Sequence, residues 1–145
     1  MTLAVLILII GAGAMAYIRF APVNPAAWHV PLDPRPKDMT APSPDKITTL
    51  SDGAYIDLSA VPDQTQALLA KLDGIALASP RTIRIAGSAE TGRITWQTRS
   101  VLWGFPDFTT AESTAEGVTV YARQRFGKGD WGINAARLTE WLSRL

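Results

Sequence analysis

Hydrophobic residues run unbroken at the start of this chain, give way to a proline-rich stretch, and then return with two distinct periods. Thr2 to Ile18 carries no charge, and its only polar side chains are Thr2 and Tyr17. About 17 residues at roughly 1.5 Å each make roughly 26 Å of helix, enough for a thin or locally adapted bilayer. Tyr17, Arg19 and Phe20 close the run with side chains suited to a headgroup boundary. Residues 1–20 therefore read as a transmembrane anchor. A cleaved signal peptide is the rival reading, with Leu3 to Ile10 as its apolar core and Ala14-Met15-Ala16 as its small-residue site. The absence of a basic residue ahead of the apolar run weakens it. Gly11, Ala12 and Ala16 make one flank of the helix small. Small flanks let helices approach closely in lipid, and they are also common in short anchors.

Residues 21–46 read as a linker. The stretch from Ala21 to Pro44 holds Pro22, Pro25, Pro31, Pro34, Pro36, Pro42 and Pro44, seven of the ten prolines. Such a run favours extended, semi-rigid chain and would hold a domain away from the bilayer. Trp28-His29-Val30 is unusual for a pure spacer. Its simplest reading is that Trp28 docks on the domain or on the lipid surface; a ligand role for His29 is disfavoured.

Residues 47–145 read as one domain. Ala54 to Leu58 is a short strand. Val61 to Leu72 is a helix with Pro62 in its first turn, a stripe of Val61, Leu68, Leu69 and Leu72, and Gly74 as its stop. Thr82–Ala89 and Arg93–Leu102 alternate with period two around a Glu90-Thr91-Gly92 turn. Phe108–Thr114 and Val118–Phe126 form a second hairpin around Glu116-Gly117. A helix over Ala135–Leu145 closes the chain, with Asn134 as N-cap, Ile133 and Leu138 as a hydrophobic staple, and Leu138, Trp141, Leu142 and Leu145 as its buried stripe. Short turns between consecutive strands predict an α+β fold: an antiparallel sheet of about five strands with two helices on one face. Val118, Val120 and Ala122 oppose Thr119, Tyr121, Arg123 and Arg125, while Ile94 and Trp96 oppose Thr95, Gln97 and Arg99. Each of these strands therefore has an apolar face and a polar, arginine-bearing face.

Charge and composition exclude several functions. Lysine and arginine number 14 against 13 acidic residues, and from Ser51 onward both counts are ten. A neutral domain is a poor nucleic-acid binder. The chain has no cysteine and one histidine, His29. Disulfides, thiolate catalysis, cysteine zinc sites and multi-histidine metal sites on one chain are thereby excluded. Gly127-Lys128-Gly129-Asp130-Trp131-Gly132 matches Gly-x-Gly-x-x-Gly literally. The dinucleotide fingerprint also needs a parallel strand after the helix and an acidic residue about 20 positions on, and a Walker loop needs Gly-Lys-Ser/Thr. Neither is present, so no nucleotide or other cofactor is expected.

The richest chemistry lies between Arg123 and Arg137. Arg123 and Arg125 share a strand face; Asp130 and Asn134 follow at the turn; Arg137 stands one turn into the last helix; Asp107 lies at another strand entry. With Arg99, these residues admit three readings. Asp107 and Asp130 fix the turn against the arginines, or the group forms a pocket for a lipid phosphate, a carboxylated ligand or an acidic partner loop, or the two aspartates act as an acid/base pair. Nothing sets those aspartates at a working separation. Core packing accounts for most tryptophans, and Trp131, between glycine turns, is the candidate for an exposed contact.

Phe105-Pro106-Asp107, followed by Arg-x-Arg-x-Gly-x-x-Asp-x-Gly-x-Asn-x-x-Arg over 123–137, resembles the signature of domain-of-unknown-function family 1499. The resemblance covers most of Ile47 to Leu145, and the anchor and Trp28-His29-Val30 look like those of alphaproteobacterial members. Gln124 and Gly129 stand where members often carry serine, and a cysteine common near the domain start is missing, which counts against serine or cysteine chemistry. The resemblance implies a membrane-associated domain without established activity, facing the periplasm in bacteria. Arg19, Arg35 and Lys37 would by themselves vote for a cytoplasmic domain. The expectation is thus a single-pass inner-membrane protein with a periplasmic domain. It would serve as a non-enzymatic accessory or assembly subunit of a membrane protein complex, docking through Arg99, Asp107, Arg123, Arg125, Asp130, Trp131, Asn134 and Arg137. The alternatives are a module binding lipid or a small anion and, after it, a hydrolase.

Overall fold

The computed structural model describes residues 2–32, 35 and 43–145. Pro34, Pro36 and Pro42 of the linker reading and Lys37 of the orientation reading lie outside them. Helix α1 (Leu3–Phe20) has no buried residue, and its 18 residues, of mean hydropathy 2.2, are long and apolar enough to cross a membrane. Gly11 meets nothing within 4 Å where a Cβ would sit, and Ala12 and Ala16 are exposed, so the small flank has no partner within the described chain.

The domain is a six-stranded, wholly antiparallel sheet. In chain order its strands are β1 (Thr48–Thr49), β2 (Gly53–Ser59), β3 (Thr82–Ser88), β4 (Arg93–Arg99), β5 (Pro106–Thr114) and β6 (Gly117–Gln124), arranged β1-β2-β6-β5-β4-β3. The two-residue β1, too short to show a period, is the strand that the sequence reading lacked.

Helices α3 (Pro62–Leu77) and α4 (Ile133–Leu142) cover one face, following the short α2 (Pro25–Trp28) in the chain. Trp96 of β4 and Trp141 of α4 meet edge to face at 5.7 Å, among buried Leu69, Leu72, Ile94, Val120 and Leu138. Aspartate Asp73 of α3 accepts a hydrogen bond from the Trp96 indole (2.8 Å) and pairs with Arg84 (2.8 Å), tying helix to sheet. Expected as a stop, Gly74 lies inside α3 instead. An interior glycine costs about 1 kcal/mol, and burial of Ile75 and Ala76 beyond it offsets that. Val61 is exposed and precedes the helix rather than joining its stripe.

Differences at α4 follow from its cap. The helix begins at Ile133 with Gly132 as N-cap in the left-handed region, φ 78°. Asp130 does the capping: its carboxylate accepts from the backbone N–H of Gly132 (2.9 Å) and of Asn134 (3.0 Å). Asn134 is therefore inside the helix and not its cap, and Ile133, its first residue, is not placed for the staple. Strand β4 ends at Arg99 and β6 at Gln124, earlier than the alternation predicted.

The chain after α1 is not a detached spacer. Residues 21–32 cross the arginine-bearing face of the sheet as a strap. Trp28 stacks on Phe108 with centroids 3.9 Å apart and planes at 15°. His29 Nδ1 lies 2.9 Å from Thr95 Oγ1, the Leu32 N–H donates to Glu112, and the Leu32 side chain packs against Tyr55 and Tyr121. Arg35 pairs with Asp57 further along. Pro25 opens the single turn of α2 within this segment, and the threonines and aromatic rings of the sheet supply what it rests on. Gly87 makes room, since a Cβ there would lie 1.9 Å from the Arg93 carbonyl and 2.6 Å from His29 Cε1.

Candidate functional site

The eight residues singled out from the sequence divide by sheet face. Asp107, Asp130, Asn134 and Arg137 lie on the helix side, at the start of α4. Arg137 pairs with Asp107 at 3.0 Å, with both side chains nearly buried, and also donates to the Asn134 side-chain Oδ1. Burial raises Asp107 above the ordinary carboxylate value; the Arg137 charge and hydrogen bond pull the other way, and Asp130 adds to the rise. Asp130 is buried and spends its carboxylate on the helix cap. Asn134 is fully buried, and its Nδ2 is without a hydrogen-bond partner, as are Gln124 Nε2, Thr109 Oγ1 and Trp141 Nε1. Asp107 is held by an arginine as the first reading expected, whereas Asp130 fixes the turn through backbone N–H groups and pairs with no arginine among the described residues.

Arg123 belongs to the strap. Its guanidinium donates to the Trp28 carbonyl at 2.7 Å and lies over the rings of Trp28 (5.3 Å) and Tyr121 (4.9 Å). Burial lowers its pKa, with Tyr121 and Asp52 opposing. The strap's histidine responds to the same surroundings. Burial first, and then Arg93, lowers His29 from 6.5, against the contrary pull of Glu112. Trp28 and His29 were visible as an odd pair in a proline run, but their seats, Phe108 and the Thr95–Thr110 hydroxyl pair (3.0 Å), carried no signal of their own.

The remaining three candidates stay open to solvent. Arg125 is partly exposed, donates to the Pro22 carbonyl at 3.3 Å and lies over Phe126 at 4.9 Å. Arg99 donates to the Gly104 carbonyl at 2.9 Å. Burial lowers its pKa, followed by the charges of Arg125 and Arg19, so three cations converge at this end of the sheet. Among the described residues, none of the three pairs with a carboxylate. Trp131 is 96 % exposed and has φ 52°. Left-handed backbone at a bulky residue costs about 1–2 kcal/mol. Asp130 on one side and Gly132 on the other hold it there, and the Asp130 N–H donates to the Ser51 carbonyl at 3.1 Å. The sequence reading did not single out Val101, Leu102 and Trp103 as a site; all three are exposed at the same end of the sheet.

Among the described residues no three metal-ligating side chains cluster. A family profile, "Protein of unknown function (DUF1499)", matches residues 33–145. The chain belongs to the DUF1499 family. No curated protein and no solved structure matches it. Within this DUF1499 chain, the signature residues thus serve different ends: Asp107, Asp130, Asn134 and Arg137 build the corner, and Arg125, with the neighbouring Trp131, faces outward from it.

Proposed function

We propose that this protein is a single-pass, non-enzymatic accessory or assembly subunit of an inner-membrane protein complex, with its domain on the periplasmic side. It docks on its partner through Trp131 and Arg125. The observation that carries this reading is the exposure of Trp131. The left-handed backbone lets Asp130 close the cap of α4, but the side chain it carries is almost wholly exposed and gains nothing from its own fold, and exposed aromatics beside arginine concentrate where a side chain must be presented. The buried Asp107–Arg137–Asn134 network beneath keeps the presentation rigid. The membrane side of the reading draws on α1, and the periplasmic side on the family resemblance.

A ligand cavity between sheet and helices has less support, because Trp96, Trp141, Leu69, Leu72 and Leu138 fill that layer. Hydrolysis has less still, since the two aspartates it would use are committed to Arg137 and to the cap of α4. The test places a photo-reactive benzoylphenylalanine at Trp131 of the full chain in its own membranes. One discrete adduct with a membrane protein is expected, lost when Arg125→Ala is added and absent when the probe replaces exposed Lys71. An adduct equally formed from the Lys71 position, or none from Trp131, refutes the docking role.

A further inference from the structure

The loop between β4 and β5 is braced at its base and apolar at its tip. Ser100 and Phe105 close it with two hydrogen bonds of 2.9 Å, one from the Ser100 N–H to the Phe105 carbonyl and one from the Phe105 N–H to Ser100 Oγ. Arg99 adds its bond to the Gly104 carbonyl. Beyond the base, Val101, Leu102 and Trp103 are 76 %, 72 % and 48 % exposed. Three consecutive apolar side chains held out by a braced loop leave surface in water that burial would stabilise.

What lies beside the loop identifies its cover. A Cβ on Gly104 would sit 3.3 Å from Arg19 Cγ and 3.4 Å from Arg19 Nη1, so the loop's base abuts the last turn of α1. Tyr17 and Phe20 of that turn are exposed as well. If α1 spans a bilayer, its last turn lies at the headgroup boundary and the base of the loop lies beside it. Arg19, Arg99 and Arg125 surround this place without a carboxylate partner among the described residues. Guanidinium groups beside an apolar tip match lipid phosphates above acyl chains.

We infer that Val101-Leu102-Trp103 enters the interfacial layer of the leaflet from which α1 emerges, with Arg19 and Arg99 on lipid phosphates. The domain is then held to the bilayer at a second point besides its helix. This rests on the reading of α1 as an anchor, and the test separates the two. The chain has no cysteine, so a single environment-sensitive NBD label can be placed by Leu102→Cys, Ile10→Cys or Glu116→Cys in the full protein, reconstituted in vesicles containing phosphatidylglycerol.

The expected result is a blue-shifted emission, quenched by doxyl lipids and shielded from iodide, for the labels at positions 10 and 102. The label at position 116, on the β5–β6 turn at the far end of the sheet, should show the reverse. Lipid quenching at position 10 with iodide quenching at position 102 overturns the loop insertion and leaves the anchor standing. Iodide quenching at both overturns the anchor and the insertion together.

Discussion

Replacing Trp28 by alanine should detach the strap from the sheet. Trp28 is half-buried, stacked on fully buried Phe108 at 3.9 Å, with the Arg123 guanidinium 5.3 Å from its ring centroid. Tryptophan to alanine in a full core costs about 3–5 kcal/mol, so half the burial gives about 2 kcal/mol. The parallel stack contributes about 0.5–1.5 kcal/mol more. Arg123 retains Tyr121 at 4.9 Å, so little further loss comes from the cation. A total of about 2.5–3.5 kcal/mol is expected, a fall in Tm of about 10 °C or more for a domain of this size.

The assay is urea unfolding of the full chain in mild detergent, followed by near-ultraviolet circular dichroism, with proteolysis mapped over residues 21–32. A cycle with Phe108→Ala isolates the ring pair, whose coupling should be about 1 kcal/mol. A loss below about 0.5 kcal/mol, the range of ordinary surface substitutions, with unchanged cleavage would refute the docked strap. So would a coupling of zero.

Three further outcomes are expected. Since burial and Arg93 lower His29 below its ordinary 6.5, the docked strap favours the neutral ring; its docking is complete above that value and weakens as pH falls below it. Hydrogen exchange over residues 26–32 should rise accordingly, and His29→Gln should flatten the pH profile. Arg137→Ala, which strands Asp107 in a nearly buried site, should cost about 3–5 kcal/mol in chemical unfolding, whereas Trp131→Ala should leave stability unchanged or slightly raised. Gly87→Ala, with φ 77° and a Cβ driven into the Arg93 carbonyl and the His29 ring, should cost more than about 1 kcal/mol and raise cleavage in the strap.

The strands were legible because β4 and β6 alternate cleanly between a face that meets α3 and α4 and a face that does not. Both helices were legible from their stripes, but not their ends. A glycine marks a stop only when nothing beyond it is worth burying, and Ile75 and Ala76 are buried. Asn134 looked like a cap because residue type fits the role, yet Asp130, four residues earlier, accepts the N–H of Asn134 itself around a left-handed Trp131-Gly132 turn, which puts Asn134 inside the helix. Backbone handedness at a tryptophan has no sequence signature. The candidate residues were grouped by nearness along the chain, and the sheet then put Arg123 on one side and Arg137 on the other. The covered arginine face was legible only through Trp28, whose docking on the domain was one of the two seats expected for it; proline content describes how stiff a segment is and says nothing of where it lies.

The strap also alters where the physical unit starts. Family similarity begins at residue 33, one position after Leu32, while Trp28, His29 and Leu32 already fill the sheet's second side. A fragment cut at the similarity boundary would keep every strand and both packing helices, and still uncover Phe108, Tyr55 and Tyr121, which are otherwise buried. That fragment would carry an aromatic slab open to water and self-associate, whereas one beginning at Ala21 would stay dispersed without its lipid-seeking helix. Resemblance between sequences and cooperative folding need not share an edge, and in this chain a dozen residues separate them.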